Sequence, residues 1–137
     1  MKISNAYVFM YALVLVLWLS EAERHVRVAN DLGQGLNLTI HCRSHNDDLG
    51  LKELPYGFYF EWAFNSNIWG STVFYCDMGW QQGSGHYDVF VARRDNSRCH
   101  YRCWWVARQD GLYALDEQHN VYNFWFPWNK TAPGVLL

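Results

Sequence analysis

The chain has 137 residues, with eleven Lys and Arg against thirteen Asp and Glu, so no basic excess points to nucleic acid or to an anionic membrane surface. Half of the residues are hydrophobic and 18% are aromatic, which excludes a disordered secreted peptide. The length suits one small domain with one core and is too short for two.

Lys2 precedes an uncharged apolar run over 6–19, and the small-residue site Ser20-Glu21-Ala22 follows. The run is shorter than the roughly 20 residues of a permanent membrane helix. It ends in Ser-x-Ala rather than a positive stop-transfer cluster, which is the pattern of a secretory leader cut after Ala22. Residues 1–22 are therefore read as a signal peptide, 23–130 as the folded domain and 131–137, with Pro133 and Gly134, as a frayed tail.

Beyond the leader the dominant period is two. Leu36, Leu38, Ile40 and Cys42 alternate with Asn37, Thr39, His41 and Arg43, giving one apolar and one wet face. Phe58, Phe60, Trp62 and Phe64 line one side of a second strand, with Tyr59, Glu61, Ala63 and Asn65 opposite. Phe74, Cys76, Met78 and Trp80 repeat the pattern. Further strands are predicted at 26–28, 87–91, 101–107, 112–115 and 121–126. Turn chemistry separates them at 30–33, 46–50, 55–57, 82–85, 94–97 and 110–111. About eight short strands without a convincing helix predict an all-β fold, a small antiparallel sandwich or barrel.

Cys42, Cys76, Cys99 and Cys103 all follow the leader, and an even number in an oxidising compartment reads as two disulfides. Three pairings are available. On extended chain the Cα atoms of Cys99 and Cys103 would stand about 13 Å apart, too far to bond. Each is therefore expected to pair with a distant partner, which leaves two arrangements open, and the one taken as the expectation is Cys42 with Cys103 and Cys76 with Cys99. Zinc sites prefer Cys-x-x-Cys knuckles, which the Cys99-x-x-x-Cys103 spacing does not supply, so no metal is expected. The sequons Asn37-Leu38-Thr39 and Asn129-Lys130-Thr131 make Asn37 and Asn129 candidate glycosylation sites, Asn37 on the predicted solvent face.

The catalytic search assembles no site. His41 and His45 straddle a strand end and do not converge on one ion, while His25, His86, His100 and His119 are scattered. Asn46, Asp47 and Asp48 lack the spacing of a calcium loop and suit an Asx-type turn. Parity puts Trp62, Trp80 and Trp105 in the core, leaving Trp69, Trp104, Trp125 and Trp128 as exposed candidates for stacking on a sugar. The densest charged stretch, Arg93, Arg94, Asp95, Asn96, Ser97 and Arg98, is predicted to be a hairpin tip in water tethered by Cys99. It is the candidate partner-binding segment, because tethering lowers the ordering cost of binding and arginine is a favoured interface anchor.

The string Leu38-Thr39-Ile40-His41-Cys42-Arg43-Ser44, then Asp47-Asp48-Leu49-Gly50, Phe74-Tyr75-Cys76-Asp77 and Trp80, resembles the plant self-incompatibility S1 proteins, also called S-protein homologues. Arg94-Asp95 before Cys99-x-x-x-Cys103-x-Trp105, and Asp110-Gly111-Leu112-Tyr113 with Asp116 and His119, continue the match. The resemblance implies a secreted plant β-sandwich without a catalytic centre or cofactor. In poppy-type self-incompatibility the stylar member is a ligand for a pollen membrane protein, and the family's recognition is attributed to hydrophilic loops. The expected partner is therefore a cell-surface receptor or other extracellular protein, with the chain itself monomeric and not inserted in a membrane once the leader is gone. The competing class is a secreted defence or carbohydrate-binding protein that uses exposed aromatics.

Overall fold

The computed structural model describes residues 4–19, 23–66 and 70–130. The cleavage site at 20–22, Trp69, Thr131 of the second sequon and the tail expected over 131–137 lie outside the described residues. The apolar run forms helix α1, Asn5–Leu19. Among the described residues no helix is long and apolar enough to cross a membrane.

The domain is built from β1 (Glu23–Asn30), β2 (Leu38–Arg43), β3 (Asp48–Leu54), β4 (Tyr59–Asn65), β5 (Val73–Trp80) and β6 (Gly83–Val91). A one-turn helix α2 (Ala92–Asp95) then leads to β7 (Arg102–Arg108), β8 (Gly111–Asp116) and β9 (Val121–Pro127). They form a five-stranded sheet in the order β4-β1-β7-β8-β9 and a four-stranded sheet in the order β3-β2-β5-β6. Every neighbouring pair is antiparallel except β1 and β7, which run parallel with Val26 opposite Cys103 and Val28 opposite Trp105.

The predicted alternation sets the core. Val26 and Val28 of β1, Leu38, Ile40 and Cys42 of β2, Cys76 of β5, Val89 of β6 and Trp105 of β7 meet between the sheets, none of them accessible to solvent. The buried Trp105 indole N–H donates to the Val89 carbonyl at 2.9 Å, so the largest core side chain leaves no donor unpaired. Asn30 performs the same service for a crossing of loops. Its amide nitrogen donates to the Leu36 and Leu54 carbonyls at 2.7 and 2.8 Å, and its oxygen accepts from the Leu32 N–H at 2.9 Å.

Three expectations change here. The segment Asn46 to Gly50 is only partly a turn, because β3 begins at Asp48. Its mixed pattern, with Leu51 68% exposed and Lys52 and Glu53 beside it, is that of a sheet edge, where charge discourages pairing with another chain. Phe58 is 62% exposed rather than in line with Phe60, because it closes a turn on Pro55 before β4 starts. Trp128 is buried, its indole N–H donating to the Arg108 carbonyl at 2.6 Å, and is withdrawn from the exposed tryptophans.

Gly111 opens β8 at φ +153°, and a Cβ there would stand 2.0 Å from the Phe126 carbonyl oxygen across the sheet. Backbone cannot retreat as a flexible side chain can. Gly111→Ala is expected to cost about 2 kcal/mol or more, read as a lower denaturant midpoint with an unchanged slope.

Candidate interaction surface

The expected charged tip is a buried ion-pair knot. Arg93 and Ser97 are exposed, Arg94, Asn96 and Arg98 are half-buried, and Asp95 is fully buried. The hairpin expected over 93–98 is replaced by α2, in which the Asp95 carboxylate accepts from the Val91 N–H at 2.8 Å, from Arg94 at 2.7 and 2.9 Å and from Arg98 at 2.7 Å. Burial works against the charged form of Asp95. The hydrogen bonds from Arg94, Arg98 and the Val91 N–H, with the charge of Arg98, outweigh it and hold the carboxyl below the usual carboxylate range.

The rest of the segment is tied as closely. Arg24 donates to the carbonyls of Cys99 and Asn96. Glu117 accepts the N–H groups of three successive residues, His100, Tyr101 and Arg102. Burial again opposes its charge, and these backbone donors win, so the Glu117 carboxyl also lies low. Segment 93–103 is thus a tied structural element in which Arg93, Ser97, His100 and Tyr101 are the exposed residues. Sequence reasoning saw the charges and missed that they neutralise one another.

The cysteines pair as Cys42 with Cys76 and Cys99 with Cys103, not as Cys42 with Cys103 and Cys76 with Cys99. Cys42 and Cys76 stand directly opposite in β2 and β5, with Cα atoms 4.0 Å apart. Cys99 and Cys103 are 5.2 Å apart because the chain between them is not extended: the Cys99 N–H closes a helical turn on the Asp95 carbonyl, and β7 starts only at Arg102. All four thiols are therefore bonded.

Of the sequon residues, Asn37 is exposed just before β2, where its amide donates to Glu53 at 3.1 Å, and Asn129 is exposed where it bridges to Ser84. Three of the histidines form separate pairs with carboxylates, His41 with Asp48 at 2.6 Å, His86 with Asp77 at 2.7 Å and His119 with Asp116 at 2.7 Å. Among the described residues no group of three His, Cys, Asp or Glu side chains could hold a metal ion.

The outer face of the five-stranded sheet carries an arrangement that residue order alone hides. Because Val26, Val28, Cys103 and Trp105 point inward, Arg27 and Trp104 point outward, and the parallel register sets them side by side with Glu61 on the other flank of Arg27. The Arg27 guanidinium lies 3.9 Å from the Tyr59 ring centre and 3.7 Å from that of Trp104, and is bonded to Glu61 at 3.3 Å. Arg102 lies over Trp104 at 5.6 Å. Arg108 lies over Tyr113 at 4.6 Å and Tyr122 at 5.9 Å, and meets Asp31 at 3.0 Å. Of the remaining exposed-tryptophan candidates, Trp125 is half-buried edge-on to Trp105, under Arg94 and Arg98. The sequence shows the outward parity of Tyr59 and Glu61, but nothing local reveals that β1 and β7 are neighbours.

The family model of the plant self-incompatibility protein S1 matches residues 25–128, from the start of β1 to the buried Trp128. The chain belongs to the plant self-incompatibility protein S1 family. The resemblance expected from the surroundings of the four cysteines is borne out. Self-incompatibility protein S1 of Papaver rhoeas is 33% identical over 102 residues, 73% of each chain. S-protein homolog 2 of Arabidopsis thaliana is 32% identical over 114 residues, 80% of this chain and 71% of the relative. S-protein homolog 3 of the same plant is 36% identical over 107 residues, 76% and 71%. A solved self-incompatibility protein homologue, from a family described as small, highly stable, secreted proteins from plants, superposes with a TM-score of 0.55. At 20% identity over 77% of this chain and 90% of the other, it supports the sandwich fold itself.

Proposed function

We propose that this S1-family protein is a secreted, non-enzymatic recognition ligand for a cell-surface receptor or other extracellular protein, with rejection of self pollen as its candidate setting. Residues 1–22 serve as its leader. The observation that carries the reading is the stacking of Arg27 and Arg102 over Trp104. Arginine held on aromatic rings is the chemistry of protein interface anchors, whereas a lectin-type platform needs ring faces open to a sugar. The poppy relative's name supports the setting and the family's secreted character supports the compartment.

The test is to label the protein purified from the medium of secreting cells and apply it to pollen, stigma and root cells. Saturable binding that disappears when the cells are treated with protease is expected. Protease-resistant binding to isolated wall polysaccharide, or hydrolytic turnover that is lost with His41→Ala or His119→Ala, would overturn the reading.

A further inference from the structure

We propose that the outer face of the five-stranded sheet, centred on Arg27 and Trp104, is the docking surface for an extended acidic polypeptide segment of the partner; this rests on the recognition-ligand reading above. The charge balance argues for it first. The chain is net negative, yet this face gathers Arg27, Arg102 and Arg108, with Glu61 among them, Asp31 and Asp110 at its rim and Glu23 at the start of β1. Arg102 is matched there by a neutral acceptor, Asn120 Oδ1 at 3.2 Å. The outer face of the other sheet carries Arg43 against Asp48, Glu53, Asp77 and Asp88, so a partner carrying carboxylates would meet the arginine-richer of the two faces, and unlike charges across an interface fix both register and partner choice.

Preorganisation argues for it second. Stacking on Tyr59, Trp104 and Tyr113 fixes the planes of Arg27 and Arg108, so their N–H edges are oriented for carboxylates before any partner arrives, and less side-chain freedom is lost on binding. The centre of the face is also poor in acceptors: Arg27 Nε and Trp104 Nε1 are both covered and without a hydrogen-bond partner. Around it Tyr59 and Phe124 are half-exposed and offer apolar contact to the partner's non-acidic side chains. Arg102 and Arg108 lie at the two ends of β7, roughly 20 Å apart along the strand, a span that about six extended residues would cover. A polyuronate shares the carboxylates, but the cations already lying over Trp104 occupy the surface on which its rings would stack.

The experiment uses isotope-labelled protein purified from the medium and three probes: a synthetic peptide rich in Glu and Tyr, its Gln-for-Glu counterpart, and oligogalacturonate. The acidic peptide should shift the Trp104 indole and the Arg27, Arg102 and Arg108 side-chain resonances, and weaken steeply with salt. The Arg27→Gln, Arg102→Gln, Arg108→Gln triple variant should lose about tenfold or more in affinity. Glu61→Gln, which removes a competing carboxylate and leaves the sheet intact, should bind about threefold more tightly; this variant decides the matter if the triple variant does not fold. Equal binding of the Gln peptide, tighter binding of oligogalacturonate, or shifts confined to the opposite sheet around His41 and Asp77 would each overturn the proposal. Protease-sensitive cell binding that is unchanged in the Glu61→Gln and triple variants would also overturn it, while leaving the recognition-ligand reading in place.

Discussion

Replacing Asp95 with asparagine is expected to destabilise the domain by about 3–5 kcal/mol and to lower its melting temperature by roughly 15–25 °C. The two side chains have nearly the same shape, so packing is not what changes. What changes is that the guanidiniums of Arg94 and Arg98, each less than one-third exposed, lose the buried carboxylate that neutralises them. Water reaches part of each arginine, which keeps the loss from exceeding this range. Arg93→Ala is the control, because Arg93 is exposed on the same helical turn; it should move stability by less than about 0.5 kcal/mol. The same carboxylate sets the acid limit. Its folded-state pKa is depressed, so its contribution is complete above the ordinary carboxyl value near 4 and is lost as pH falls from there through the folded-state value. Glu117 acts with the same sign. Denaturant titrations of the wild type at pH 7 and pH 3 should show this loss, and Asp95→Asn should show a smaller one. A variant as stable as the wild type at pH 7 would dismiss the ion-pair knot as a stabilising element.

The second large effect separates the two disulfides. Removing the Cys42–Cys76 bond with a double serine variant is expected to cost about 4 kcal/mol and removing Cys99–Cys103 about 2, following the logarithmic dependence on the chain enclosed, 34 residues against 4. Had the pairing been Cys42 with Cys103 and Cys76 with Cys99, both loops would be long and the losses nearly equal. Unreduced protein cleaved between Cys76 and Cys99 distinguishes the cases directly: the observed pairing releases two separate fragments, the nested one leaves them joined.

Much of the fold was legible because a sheet packed on one side writes its burial into every second residue. Leu38, Ile40 and Cys42, or Phe74, Cys76 and Met78, needed no further information. β3 was not legible, since an edge strand with an exposed Leu51 has little burial to record. The cysteine pairing failed on a local assumption, extended backbone between Cys99 and Cys103, where the chain is still turning before β7 begins. The candidate site was legible only in its parts. Arg94, Asp95 and Arg98 stood out as charges, but a sequence does not say whether charges face water or one another. Trp104 stood out only as an exposed ring and Arg27 not at all, because their adjacency depends on two strands that lie far apart in the chain.

That adjacency has a consequence for synthesis. β1, first of the strands to be made, ends as an interior strand of the larger sheet between β4 and β7. Its antiparallel partner β4 follows within some thirty residues, but the parallel partner reaches Ala107 only after nearly the whole domain has been translated. At about 5–20 residues per second, one side of β1 waits roughly 4–16 s with its hydrogen-bonding edge unpaired. Vectorial folding during export therefore cannot close this sheet progressively from the amino end; it closes late, when β7 arrives.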